Sequence, residues 1–155
     1  MKTELPKAVT DKQRAAIQKL LERLRLQYSE RIRSTILFGS VARGDFRSDS
    51  DIDMLVIADK IDSDFKWKVW EIGADVSLEF DVIFNLRVYP RIRWEHLGVQ
   101  RKPLWCNISR EGITLDLHSP IITKRGSKKK FLRAMKKVAN VEPLTRRDSK
   151  SHAAK

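Results

Sequence analysis

One hundred and fifty-five residues are enough for one domain with a real core and too few for two independent ones, which excludes a multidomain enzyme. With 41% hydrophobic and 34% charged residues, five Pro and six Gly, the chain is neither disordered throughout nor a fibre. Its net charge of +12 is uneven: 12 basic residues stand against 3 acidic ones from Asp116 onward, whereas residues 1 to 115 hold 20 against 17. The basic end therefore suits an acidic protein or RNA, and the near-balanced body says little about a partner.

Thr10 followed by Gln13 has the form of a capping box, and Ile17, Leu20, Leu21, Leu24 and Tyr28 then share one face, so a helix is predicted over about 10 to 28. Two strands follow, Ser34 to Phe38 and Asp51 to Ile57, the first ended by Gly39 and the second opened by a polar turn. Asp62 or Ser63 can cap a second helix that buries Phe65, Val69, Ile72, Val76 and Leu78 against the sheet. Val82 to Tyr89 reads as a third strand stopped by Pro90, and Arg91 to Gln100 as a helix carrying Trp94 and Leu97. Beyond Leu117 the pattern weakens. Lys128 to Ala139 can form a basic amphipathic helix with Phe131, Leu132, Met135 and Val138 on one side, and residues 140 to 155 look unstructured. Alternating helices and strands point to an α/β or α+β layer in residues 1 to 117, with 118 to 155 as a basic tail.

No apolar run approaches the roughly 20 residues of a spanning helix, and the opening MKTELPKAVTDK lacks the apolar core of a leader. Cys106 is alone, and no His or Cys pair stands at zinc spacing. The expectation is a cytoplasmic protein without a membrane partner. Trp67, Trp70, Trp94 and Trp105 are spaced like core or interface anchors and are read as core packing, Cys106 reads as a small buried apolar residue, and His96, His118 and His152 are dispersed.

The densest chemical signal is the run from Leu37 to Ile57. An apolar strand ends in Gly39-Ser40, so bare backbone NH groups and a hydroxyl open a short helix through Val41 to Arg43, an arrangement that binds phosphate oxygens. Twelve residues later Asp51 and Asp53 bracket Ile52, and strand periodicity sends both carboxylates to one face while Ile52 and Met54 enter the core. Carboxylates this close repel unless a cation lies between them, and Mg²⁺ favours one or two of them together with substrate phosphates. Rival motifs fail on single residues. A phosphate-binding loop on Gly39 and Gly44 requires Lys and Ser or Thr where Asp45 and Phe46 stand; a calcium loop from Asp49 requires Gly at Met54 and Glu at Lys60. The remaining alternative is a polar hairpin with solvated turn aspartates.

Gly39-Ser40, Ala42-Arg43-Gly44, Ser48-Asp49-Ser50-Asp51-Ile52-Asp53 and the Leu55-Val56 strand together resemble the signature of the minimal nucleotidyltransferases, small members of the DNA polymerase β superfamily. The resemblance covers about residues 10 to 115, including the Arg110-Glu-Gly-Ile-Thr-Leu115 ending. It implies an α+β fold, a small mixed sheet backed by helices, and transfer of a nucleoside monophosphate, AMP above all, from ATP to an acceptor hydroxyl. In that scheme Gly39 and Ser40 hold the β and γ phosphates and Asp51 and Asp53 ligate one or two Mg²⁺ ions. Arg43, and after it Arg47, would neutralise phosphate charge, unless Arg43 pairs with Asp45 at the surface. A third carboxylate usually completes such a site from the following strand, and Asp81 is the candidate catalytic and metal ligand. If the second helix runs through Phe80, Asp81 falls in the turn and a residue near Ile83 or Asn85 faces the metals instead. The family often pairs as an antitoxin with a helical HEPN ribonuclease toxin, which some members silence by adding AMP. A binding module that blocks its partner by occlusion, through Trp94, Trp105 or the cationic tail, and a transferase for RNA or a small molecule are the alternatives.

Overall fold

The computed structural model describes residues 2 to 118; contacts divide the chain after Ile121, and all of these residues belong to the first unit. The helix expected at 128 to 139 and the residues from 140 on lie outside the described residues. Helix α1 spans Asp11–Tyr28, strand β1 Ile32–Phe38, helix α2 Gly39–Arg43 and strand β2 Ile52–Ala58. Then follow α3 at Ser63–Phe80, β3 at Phe84–Pro90, α4 at Arg91–Val99, α5 at Pro103–Glu111 and β4 at Ile113–Leu115.

The helix starts follow from local chemistry. Thr10 Oγ1 accepts the Gln13 amide NH at 3.1 Å while Gln13 Oε1 accepts the Thr10 NH at 3.1 Å, so the reciprocal box forms as its spacing predicts. Asp62, one of two candidate caps, accepts the Phe65 NH at 2.7 Å. That hydrogen bond first, and Arg31 after it, holds the Asp62 carboxyl below the usual carboxylate range.

The sheet runs in the order β3-β2-β1-β4, with β1 antiparallel to β2 and β4, and β2 parallel to β3 through the α3 crossover. It is the small mixed sheet backed by helices that the resemblance implied. Each face has its own apolar cluster. On one, Ile17, Leu20, Leu21 and Leu24 of α1 and Phe65, Val69, Ile72 and Val76 of α3 meet Leu37, Ile52, Met54, Val56 and Val88. On the other, Trp94 of α4 and Ile108 of α5 cover Ile36, Leu55 and Ile57, joined by Phe38 and Tyr89. Each fully buried Leu, Ile or Phe stabilises the fold by roughly 1.5–3 kcal/mol.

Four readings are corrected here. Trp67 and Trp70 are 67% and 47% exposed and Leu78 is 84% exposed, so the buried stripe of α3 excludes them. Trp70 instead donates its indole NH to the Leu86 carbonyl of the edge strand at 3.1 Å. Cys106 is half-buried, its thiol donating to the Arg101 carbonyl at 3.4 Å. The third strand begins at Phe84 rather than Val82, because α3 continues to Phe80 and Asp81 turns the chain. Among the described residues no helix is long and apolar enough to cross a membrane. Thr10→Ala, which removes the α1 cap without touching the sheet, should lower the urea-unfolding free energy by about 1 kcal/mol with an unchanged denaturant slope.

Candidate active site

The site is assembled by register. Phe38, the last residue of β1, pairs with Asp53, and Asp53 pairs on its other side with Asn85 of β3. Three strand positions and the start of α2 therefore meet at one end of the sheet. Alternation assigns their faces: Ile52, Met54 and Val56 enter the α1 and α3 cluster, whereas Leu55 and Ile57 enter the α4 and α5 cluster. Asp53 shares the second face, at its open end.

Gly39 opens α2 at φ +73°, a conformation that side chains rarely adopt. A Cβ there would lie 3.1 Å from Asp53 Cγ and far inside van der Waals contact with Oδ2. The Asp53 carboxylate is thus laid directly against the turn that the sequence assigns to phosphate binding. Its other oxygen, Oδ1, accepts a hydrogen bond from Asn85 Nδ2 at 2.7 Å. Asp51 stands one residue before β2 and is exposed. Gly44, at φ 80°, closes α2 by donating to the Ser40 carbonyl at 3.0 Å.

Asp81 is not brought to this place. It caps α3 in the left-handed conformation at φ 51°, and its fully exposed carboxylate faces Lys12 Nζ at 3.7 Å. It lines a separate cleft of about 450 Å³ with Thr10, Ser48, Asp49 and Ser50. Among the described residues no three His, Cys, Asp or Glu side chains cluster as a metal group. Asn85, named in the sequence only as an alternative, occupies the strand position beside Asp53. Asp53, against the side-chain-free Gly39 turn, and Asp51, two residues before it, are the residues that would hold a Mg²⁺ whose shell substrate phosphates complete.

Arg43 is engaged on both sides. Its Nε meets Asp45 Oδ2 at 3.2 Å and its Nη1 meets Glu111 Oε2 at 3.2 Å. Asp45, then Glu111, raises the guanidinium above its ordinary pKa. Glu111 also takes Arg110 on Oε1 at 2.8 Å, and Arg110, then Arg43, holds its carboxyl below the ordinary range. Arg47 is exposed in the turn, its backbone NH donating to Ser50 Oγ at 2.9 Å. Between α2 and α5 lies a cleft of about 290 Å³ lined by Phe38, Gly39, Arg43, Leu104, Asn107, Ile108, Arg110 and Glu111. The α5 contributions were missed in the sequence.

A profile of the nucleotidyltransferase domain matches residues 17 to 103, more than half of the chain. The chain belongs to that family. Two Methanocaldococcus jannaschii proteins, each provisionally named a protein adenylyltransferase, are similar to this nucleotidyltransferase. One is 39% identical over 70 residues and the other 32% over 63, covering 45% and 40% of this chain. The chain spans 66% and 64% of their lengths, just under two thirds. Among solved structures, a toxin-antitoxin crystal structure with AMP-PNP is 23% identical, covers 81% of this chain and 84% of that one, and has a TM-score of 0.44. A complex of tri-AMPylated Shewanella oneidensis HEPN toxin with its MNT antitoxin is 21% identical, covers 79% and 84%, and scores 0.36.

Two outcomes test the geometry. Gly39→Ala should displace Asp53 and cost on the order of 1 kcal/mol or more, since it adds a Cβ at positive φ; urea unfolding reads the loss. For Glu111, the folded pKa lies below the unfolded one. Its contribution is therefore complete above the ordinary glutamate value of about 4.3 and is lost as pH falls through the lower folded value. Wild-type stability should decline on acidification across that window, and Glu111→Gln should decline less.

Proposed function

We propose that the chain is a Mg²⁺-dependent nucleotidyltransferase that moves AMP from ATP to a hydroxyl on a protein acceptor, as an antitoxin modifying a HEPN-type toxin. The observation that carries this reading is the Asp53 carboxylate held against the Gly39 turn, within a chain that belongs to the nucleotidyltransferase family. The names of the M. jannaschii relatives support adenylyl transfer to protein. The toxin partner rests on the sequence resemblance alone.

In this reading the acceptor oxygen forms a bond to the α-phosphorus, the bond to the bridging oxygen of the β-phosphate breaks, pyrophosphate leaves, and the hydroxyl proton passes to solvent. Bound Mg²⁺ would supply charge neutralisation of the triphosphate and of the entering oxygen. Asp51 and Asp53 are the residues that would hold it. Gly39 and Ser40 present backbone NH groups to phosphate oxygens, and the missing Cβ at Gly39 lets the phosphate approach the carboxylate. Asn85 fixes Asp53 through Oδ1 and leaves Oδ2 toward the turn. An amide cannot take the acceptor proton. With Asn85 where an acid would act as general base, slow turnover is expected.

The same residue favours a second reading, an adenylyltransferase fold that neutralises its partner by occlusion. Labelling a HEPN-type partner with α-labelled ATP and Mg²⁺ separates them. Transfer should fall by about a hundredfold or more in Asp53→Ala, the loss of several kcal/mol of charge stabilisation. Asn85→Asp should raise the rate on the order of tenfold to a hundredfold. Absence of labelling, with neutralisation intact in Asp51→Ala and Asp53→Ala, would leave occlusion as the function.

A further inference from the structure

Strand β3 carries a second polar position on the face of the site. Asn85, Arg87 and Tyr89 alternate with Leu86 and Val88; Tyr89 joins the α4 and α5 cluster, and Asn85 and Arg87 are exposed on that same face. Successive same-face positions are about 6.6 Å apart along a strand, a gap that an arginine stem can span. The Arg87 guanidinium lies 6.0 Å from the centroid of the Phe38 ring, and Phe38 is the residue that leads into Gly39. At this separation, the outer reach of a cation–π contact, the ring draws the guanidinium toward the end of β1 that leads into Gly39.

Two of the other arginines near the turn are ion-paired, while Arg47 sits exposed in the loop before β2. Arg43 is shared by Asp45 and Glu111, and Arg110 is held by Glu111 and Asn107. Among the described residues no carboxylate forms an ion pair with Arg87; its recorded contact is the Phe38 ring. An unneutralised, planar, five-donor cation beside a metal-competent carboxylate has the chemistry of a phosphate ligand.

We propose that Arg87 binds the phosphate of the nucleotide next to Asp53, at the α-phosphoryl group, and that Arg43 instead ties α2 to α5. This rests on the nucleotidyltransferase reading above. The position was legible in outline, since Phe84-Asn-Leu-Arg-Val-Tyr89 places two polar residues at strand period, yet only the register shows that they share the face of Asp53.

Equilibrium dialysis of labelled ATP with Mg²⁺ tests it in wild type, Arg87→Met and Arg87→Lys, with thermal midpoints as a check on folding. Arg87→Met should bind about tenfold more weakly, the value of one charge-assisted contact, and Arg87→Lys should recover most of that loss at an unchanged midpoint. Arg87→Met binding within twofold of wild type would overturn the assignment. So would equal losses in both variants accompanied by a fallen midpoint, which marks a structural role. Failure of the wild type itself to bind ATP would overturn the nucleotide reading, and this one with it.

Discussion

One carboxylate carries two demands at once. Asp53 must lie against the turn that follows β1, which requires glycine at residue 39, and it must be held there, which Asn85 does from the neighbouring strand. Neither contact works without the other. A side chain at 39 would displace the carboxylate, and without the amide the acid would be free to rotate toward solvent. The register Phe38 to Asp53 to Asn85 enforces both.

That register is itself a product of the two-faced sheet. The four apolar positions of α3 that are buried, with the matching stripe of α1, fix which face of β2 points inward, and slipping β2 by one residue would send Asp53 into the core. The opposite face is covered only partly, by α4 and α5 around Trp94 and Ile108. Its uncovered end is where Asp53, Asn85 and Arg87 are exposed or half-exposed. The salt-bridge chain from Asp45 through Arg43 to Glu111 and Arg110 closes the neighbouring side and joins α2 to α5. An amide, not a third acid, stands on β3 beside Asp53.

Local rules were legible wherever the chemistry was local. The capping box at Thr10, the cap at Asp62, the Gly39-Ser40 turn and the inward Ile52 and Met54 all follow from neighbours a few residues apart. What failed depended on distant partners. Asp81 looks like a strand carboxylate until α3 is seen to run through Phe80, after which a left-handed cap swings it toward Lys12. Trp67, Trp70 and Leu78 read as core because large apolar residues usually are, whereas Phe65, Val69, Ile72 and Val76 already fill the buried arc of the helix. Strand β4 is three residues long, too short for any periodicity, and exists because Leu37 and Thr35 offer it an edge.

The central claim is that Asp53 is the point where metal and triphosphate meet. Isothermal titration of ATP with and without Mg²⁺ into wild type and Asp53→Asn addresses it directly. The account predicts that Mg²⁺ tightens binding at least about tenfold, some 1.4 kcal/mol, in the wild type and leaves Asp53→Asn almost unmoved. Equal affinities in both proteins, with no response to the metal, would contradict it.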